Sequence, residues 1–128
     1  MSDFRTPLKN ARGLGSAKHG TGHFITQRVT ALALIPLSCW LLYFLVSLMH
    51  ADYLSATDAI ARPWNAIALV AFLLATFWHA QTGLQVIIED YVHSPGLALS
   101  AQVAVYFVCI LGALASVFAV VRIALGGA

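Results

Sequence analysis

Three long apolar stretches divide the chain. Val29–Met49, Ala66–Ile88 and Ala98–Val121 contain no Asp, Glu, Lys or Arg, and they run for 21, 23 and 24 residues. At about 1.5 Å rise per residue, each is long enough to cross a hydrocarbon layer of roughly 30 Å as a helix. A backbone in hydrocarbon must satisfy its own hydrogen bonds, so helices are the predicted state. The pattern predicts an all-α protein with three transmembrane helices at about 28–50, 64–89 and 97–124. These form one membrane domain over residues 28–128, preceded by a basic leader over residues 1–27.

Within that frame the punctuation is specific. Gly13, Gly15, Gly20 and Gly22 interrupt the leader and argue against a regular helix there, at roughly 1 kcal/mol per interior glycine. Pro36 is expected to kink the first helix, and Pro63 with Trp64 suits the opening turn of the second at the membrane interface. Tyr53 is a further interface anchor. Ser94-Pro95-Gly96 marks a turn before the third helix, where Gly112, Ala115, Ser116 and Ala119 form a small-residue stripe for close helix contact.

Composition sharpens the class. The 128 residues are 60% hydrophobic and 9% charged, far from an ordinary soluble domain. Five of the seven basic residues (Arg5, Lys9, Arg12, Lys18, Arg28) lie before or at the start of the first helix. That bias places the N-terminus in the cytoplasm and, after three spans, the C-terminus outside. The leader can bind anionic lipid or lie along a cytoplasmic partner. The first apolar run is too long, and too far behind the leader, for a secretory signal. Cys39 and Cys109 are isolated packing residues. No iron–sulfur, dinucleotide or nucleotide motif is present, so such chemistry must come from another chain, and nothing points to nucleic acid.

Candidate chemistry collects in the second span, FWHAQTGLQVIIEDYVH. His79 is an ionisable ring inside a membrane helix, which marks it as functional by default. From residue chemistry alone three roles stay open: an interhelical hydrogen bond, proton transfer and haem ligation. Ala75, Thr76, Thr82 and Gly83, three or four positions away, predict a shallow trough around the ring that would clear a flat macrocycle. No second intramembrane His exists, since His19, His23, His50 and His93 lie elsewhere, so a bis-imidazole haem would need a ligand from another subunit. Asp90 and Tyr91 close the helix where acidic groups oppose the helix dipole. A phenol beside a carboxylate there suits a quinone. Arg28 can anchor to the interface or pair with an anionic group.

The leader GLGSAKHGTGHFITQRVTALALIPL, the HxxxG spacing, and the Asp-Tyr pair eleven and twelve residues after the His resemble one family. It is the smaller hydrophobic membrane-anchor subunit of succinate dehydrogenase (respiratory complex II), usually labelled D, in bacterial relatives of the mitochondrial enzyme. The resemblance covers nearly the whole chain. It implies three helices packed with a second membrane-anchor subunit around a shared haem b, beside an iron–sulfur subunit and a flavoprotein subunit, in the bacterial inner membrane. It further implies His79 as an axial haem ligand, Arg28 and His23 near the haem propionates, and Tyr91 with Asp90 at the ubiquinone site. Alternatives are the anchor of a fumarate reductase, or a cofactor-free scaffold or small transport subunit.

Overall fold

The computed structural model describes Thr6, Leu8 and residues 20–126. Arg5, Lys9, Arg12, Lys18 and His19, with the leader's expected loose conformation up to residue 19, lie outside the described residues. Among those described there are four helices and no strand: α1 (Gly20–Ser47), α2 (Tyr53–Ala61), α3 (Pro63–Tyr91) and α4 (Pro95–Ala124). Three of them, α1, α3 and α4, are long and apolar enough to cross a membrane.

The first helix departs from expectation at its start. It begins at Gly20, eight positions before Arg28, so the end of the leader is helical. Gly20 and Gly22 sit in the opening turn, where an interior-glycine penalty does not apply. Beyond them Gln27 packs on α3, and that contact outweighs weak local propensity. The helix continues through Pro36 and stops three residues short of the expected 50. Leu48 and Met49 there turn back to the carbonyls of Leu45 and Val46 at 3.1 and 3.2 Å, the tighter pattern of a closing helix.

The connection after α1 holds a helix that the hydropathy pattern does not show. Asp52 caps α2 by accepting a hydrogen bond from the Ser55 backbone N–H at 3.1 Å. Hydrogen bonds from Ser55, its side chain first and its backbone second, hold the Asp52 carboxyl below its usual value. Arg62 ends α2 and begins α3, with Pro63 in the first turn. Asn65 Nδ2 donates to the Ala59 carbonyl at 2.8 Å across the corner.

Within the bundle α3 is central. It packs against α1 on one flank and α4 on the other, α1 and α4 do not meet, and α2 rests on α3 and α4. Gly112 of α4 makes the second of these contacts close, because a Cβ there would lie 2.6 Å from Phe77 Cε1. Ser116, one turn on, donates to the Gly112 carbonyl at 2.7 Å. Ala115 and Ala119 are exposed, so only half of the small-residue stripe meets α3. Cys109 is buried, Cys39 is exposed, and neither is in a disulfide.

Little of the chain is enclosed. Among the described residues only Phe44, Thr82, Ile88 and Cys109 are buried, while large side chains such as Leu42, Phe107 and Phe118 stand exposed. In water such a surface would aggregate. In a bilayer it is matched to lipid tails and to further helices, whose association depends on close packing and hydrogen bonds.

Candidate functional site

The polar seam lies between α1 and α3. His79, half-buried in the middle of α3, has Nδ1 3.0 Å from Thr30 Oγ1 of α1. One turn toward the C-terminal end of α3, the Thr82 hydroxyl hydrogen-bonds Gln27 Oε1, and Thr82 is only 4% exposed. These two contacts share one register: three residues back along α1 match three residues forward along α3, as antiparallel helices require.

The Thr30 hydroxyl network bears on the imidazole tautomer. Thr30 Oγ1 lies 2.9 Å from the Thr26 carbonyl and 3.1 Å from that of Gln27. Carbonyls only accept, so a hydroxyl proton placed on either of them leaves a lone pair toward His79. In that arrangement Nδ1 carries the hydrogen and donates it to Thr30 Oγ1. In the neutral ring Nε2 is then the free acceptor. Among the described residues it has no hydrogen-bond partner, and it is not shut away as His23 Nε2 is.

The trough expected around His79 is therefore partly filled. Thr82 and Gly83 face α1, and Gln27 Nε2 would lie 3.4 Å from a Cβ at Gly83. The Gln27 amide therefore occupies the space beside Gly83, at a distance that is ordinary contact for a Cβ. Gln27 and Thr30 were not singled out by sequence. The signal available for them was polar side chains at positions 23, 27 and 30, spaced for one face of a helix entering the membrane.

The remaining candidates separate. His23 is half-buried and stands one helical turn from Gln27 on that face, its Nε2 enclosed without a partner. Arg28 does not join the seam; it is exposed, with its guanidinium 5.1 Å from the Phe24 ring centroid. At the end of α3, Glu89 accepts from Gln85 at 2.8 Å and more weakly from Gln102 of α4 at 3.5 Å. Asp90 and Tyr91 bond to no described side chain, and Tyr91 is 77% exposed. The acidic pair is thus split, one carboxylate tied to α4 and the other open beside the phenol. Tyr91 stands twelve residues, or about 18 Å at helical rise, from His79. Gln81, without a role by sequence, lines a cleft of about 250 Å³ between α3 and α4 with Phe77 and Tyr106.

For an axial haem ligand the requirement is a neutral imidazole with a free, reachable nitrogen and its other N–H bound to an acceptor. His79 meets it. No group of three His, Cys, Asp or Glu side chains that could hold a metal ion by itself exists among the described residues.

Fold and site together define a three-span helical membrane subunit with a single intramembrane imidazole set in an interhelical seam. The chain belongs to the succinate dehydrogenase/fumarate reductase transmembrane subunit family, whose pattern it matches over residues 2–120, and is a membrane-anchor subunit of such a complex. Among its relatives is the succinate dehydrogenase hydrophobic membrane anchor subunit of Rickettsia bellii, 37% identical over 118 residues, covering 92% of this chain and 94% of the relative. The subunit of that name from Rickettsia conorii is 33% identical over 118 residues, 91% and 94% of the two chains. That from Paracoccus denitrificans is 32% identical over 127 residues, 94% and 93%. No solved structure matches the chain significantly.

Proposed function

We propose that the chain anchors a succinate:ubiquinone oxidoreductase in a bacterial cytoplasmic membrane and supplies residues to two sites there. His79 provides one axial ligand, through Nε2, to a haem b shared with a second membrane-anchor subunit that gives the other. His23 and Arg28 serve the haem propionates. Asp90 and Tyr91 form part of the ubiquinone site. A flavoprotein subunit oxidises succinate, an iron–sulfur subunit carries the electrons, and the N-terminus of this chain faces the cytoplasm with them.

Each residue has a defined task. The Tyr91 hydroxyl donates a hydrogen bond to a quinone carbonyl and orients the ring at the membrane surface. Asp90, exposed beside it, can take protons from water and pass them on, and reduction of a quinone to the quinol consumes two electrons and two protons. Bound haem supplies a one-electron carrier inside the bundle. This chain's residues hold it: the Thr30 contact sets the His79 ring, and α1 closes the seam beneath it.

The observation that carries this reading is the division of labour in the His79 ring, Nδ1–H bound within the chain and Nε2 left open. The structural alternative, a simple helix bridge, uses the same Thr30 contact but gives Nε2 nothing to do. The test is a reduced-minus-oxidised spectrum of the purified complex. A low-spin b-type signal is expected, lost or converted to high spin in His79→Ala. An identical spectrum in that variant removes His79 as a ligand.

A further inference from the structure

We infer that Thr30 is a positioning residue for the His79 ligand, setting the ring's tautomer, its orientation and the basicity of Nε2; this rests on the haem reading above. The argument needs only the hydroxyl geometry. Thr30 Oγ1 is tied to the carbonyls of Thr26 and Gln27 at 2.9 and 3.1 Å, so its own position is fixed by the α1 backbone. The His79 Nδ1–H meets it at 3.0 Å from a different helix. A ring held at one nitrogen by a neighbouring helix cannot rotate freely about χ2, and its second nitrogen is aimed by that constraint. Donation from Nδ1–H also pushes electron density toward Nε2, making it the stronger ligand.

The hydroxyl is an unforced choice at this position. A valine has nearly the same shape and would suit an apolar helix in lipid better. What valine lacks is the lone pair. Without it Nδ1–H is left unpaired in a low-dielectric seam, and the tautomer that exposes a protonated Nε2, unable to bind iron, becomes competitive.

The experiment compares Thr30→Val with Thr30→Ser in the assembled complex, with Thr30→Ala as a second hydroxyl-free variant should valine prevent assembly. Haem transfer from each purified complex to excess apomyoglobin is followed optically, and the haem midpoint potential is titrated. Loss of an outer-sphere partner typically weakens metal binding about ten- to a hundredfold, so haem loss from Thr30→Val or Thr30→Ala should accelerate by that order. Their midpoint potential should rise, because a poorer electron donor stabilises ferric iron less. Thr30→Ser, which keeps the acceptor, should remain near the parent in both. Equal haem retention and potential across serine, valine and alanine would overturn the assignment. If the parent complex shows no haem, or His79→Ala keeps the low-spin spectrum, the underlying haem reading fails instead, and the two failures are told apart by the parent spectrum.

Discussion

Substituting Gly112 by alanine tests the α3–α4 packing that holds the site-bearing helix from behind. The added Cβ would stand 2.6 and 2.9 Å from Phe77 Cε1 and Cζ. Carbon atoms rest about 3.5–4.0 Å apart, so the ring must retreat by about 1 Å. A partial exit exists, because Phe77 lines the cleft of about 250 Å³ shared with Gln81 and Tyr106. Overpacking of this kind typically costs about 1–3 kcal/mol. Alanine also favours a helix over glycine by up to about 1 kcal/mol, which opposes the clash.

Gly83→Ala separates the two effects. It gains the same helical preference, but its Cβ would meet only Gln27 Nε2 at 3.4 Å, an ordinary contact. The difference between the variants therefore isolates the clash. The assay is thermal or denaturant unfolding of the purified complex in one detergent, read as loss of α-helical signal and of subunit association. Gly112→Ala should unfold at a lower midpoint than Gly83→Ala, and Phe77→Leu should restore part of the loss when combined with it, a non-additivity expected for side chains in contact. Equal midpoints for the two alanine variants, with strictly additive behaviour of the double variant, would refute the close approach.

Other outcomes follow from the same geometry. Tyr91 is 77% exposed and hydrogen-bonds no described side chain, so with Tyr91→Phe the complex should assemble normally; losing one neutral hydrogen bond of about 0.5–1.5 kcal/mol should raise the quinone KM roughly two- to tenfold. Succinate oxidation with a dye that accepts electrons ahead of the membrane should be unchanged, and unaltered quinone kinetics would remove Tyr91 from the site. Thr82→Val deprives Gln27 of its hydroxyl partner, and a membrane-buried hydrogen bond averages about 0.6 kcal/mol, so a small drop in unfolding midpoint is expected and should vanish in a Gln27→Leu background. At Asp52 the folded carboxyl titrates below its unfolded value, so the unfolded chain binds the proton first on acidification. The stability it lends α2 is complete above about pH 4 and is lost as the pH falls through the lower folded value. Hydrogen exchange of residues 55–61 should show protection falling with acid relative to Asp52→Asn, which caps without titrating; parallel behaviour of the two would contradict this.

The three spans were legible because uncharged runs of more than twenty residues have one stable solution in lipid. His79 was legible for the related reason that an ionisable ring in hydrocarbon demands a partner. The short helix α2 was hidden: nine residues at an interface give no full period of the pattern, and the cap that starts it depends on one Asp52–Ser55 contact. The early start of α1 was misread because glycine-rich local sequence argues for a loop, while the contacts that decide the matter come from α3. Thr30 and Gln27 carried no distinguishing mark, since threonine in a helix commonly bonds its own backbone, as Thr26, Thr57 and Thr76 do here. Which threonine also meets His79 is fixed by helix register, and register is a property of packing. The Glu89–Asp90 pair likewise read as one acidic end until Gln85 and Gln102 separated its members.

On the haem reading proposed above, the arrangement of the spans accounts for a single chain supplying half a site. With α1 and α4 on opposite flanks of α3 and not touching each other, the helices form a row that cannot enclose an atom in its middle. His79 is covered by α1 through Nδ1, and nothing in the described chain covers Nε2. An acceptor left bare in hydrocarbon costs on the order of 1–3 kcal/mol by mutational measures, so the position calls for a partner beyond the described residues. The iron of the proposed haem would do so, and a lipid tail would not. The same row leaves two broad apolar faces open, and a second set of helices laid across them would both bury those faces and bring the missing ligand to the ring. Assembly and coordination are then coupled: the variant that removes the imidazole should weaken association of this chain with the rest of the complex as well as its spectrum. A bundle held together by apolar contact alone would lose the second without the first.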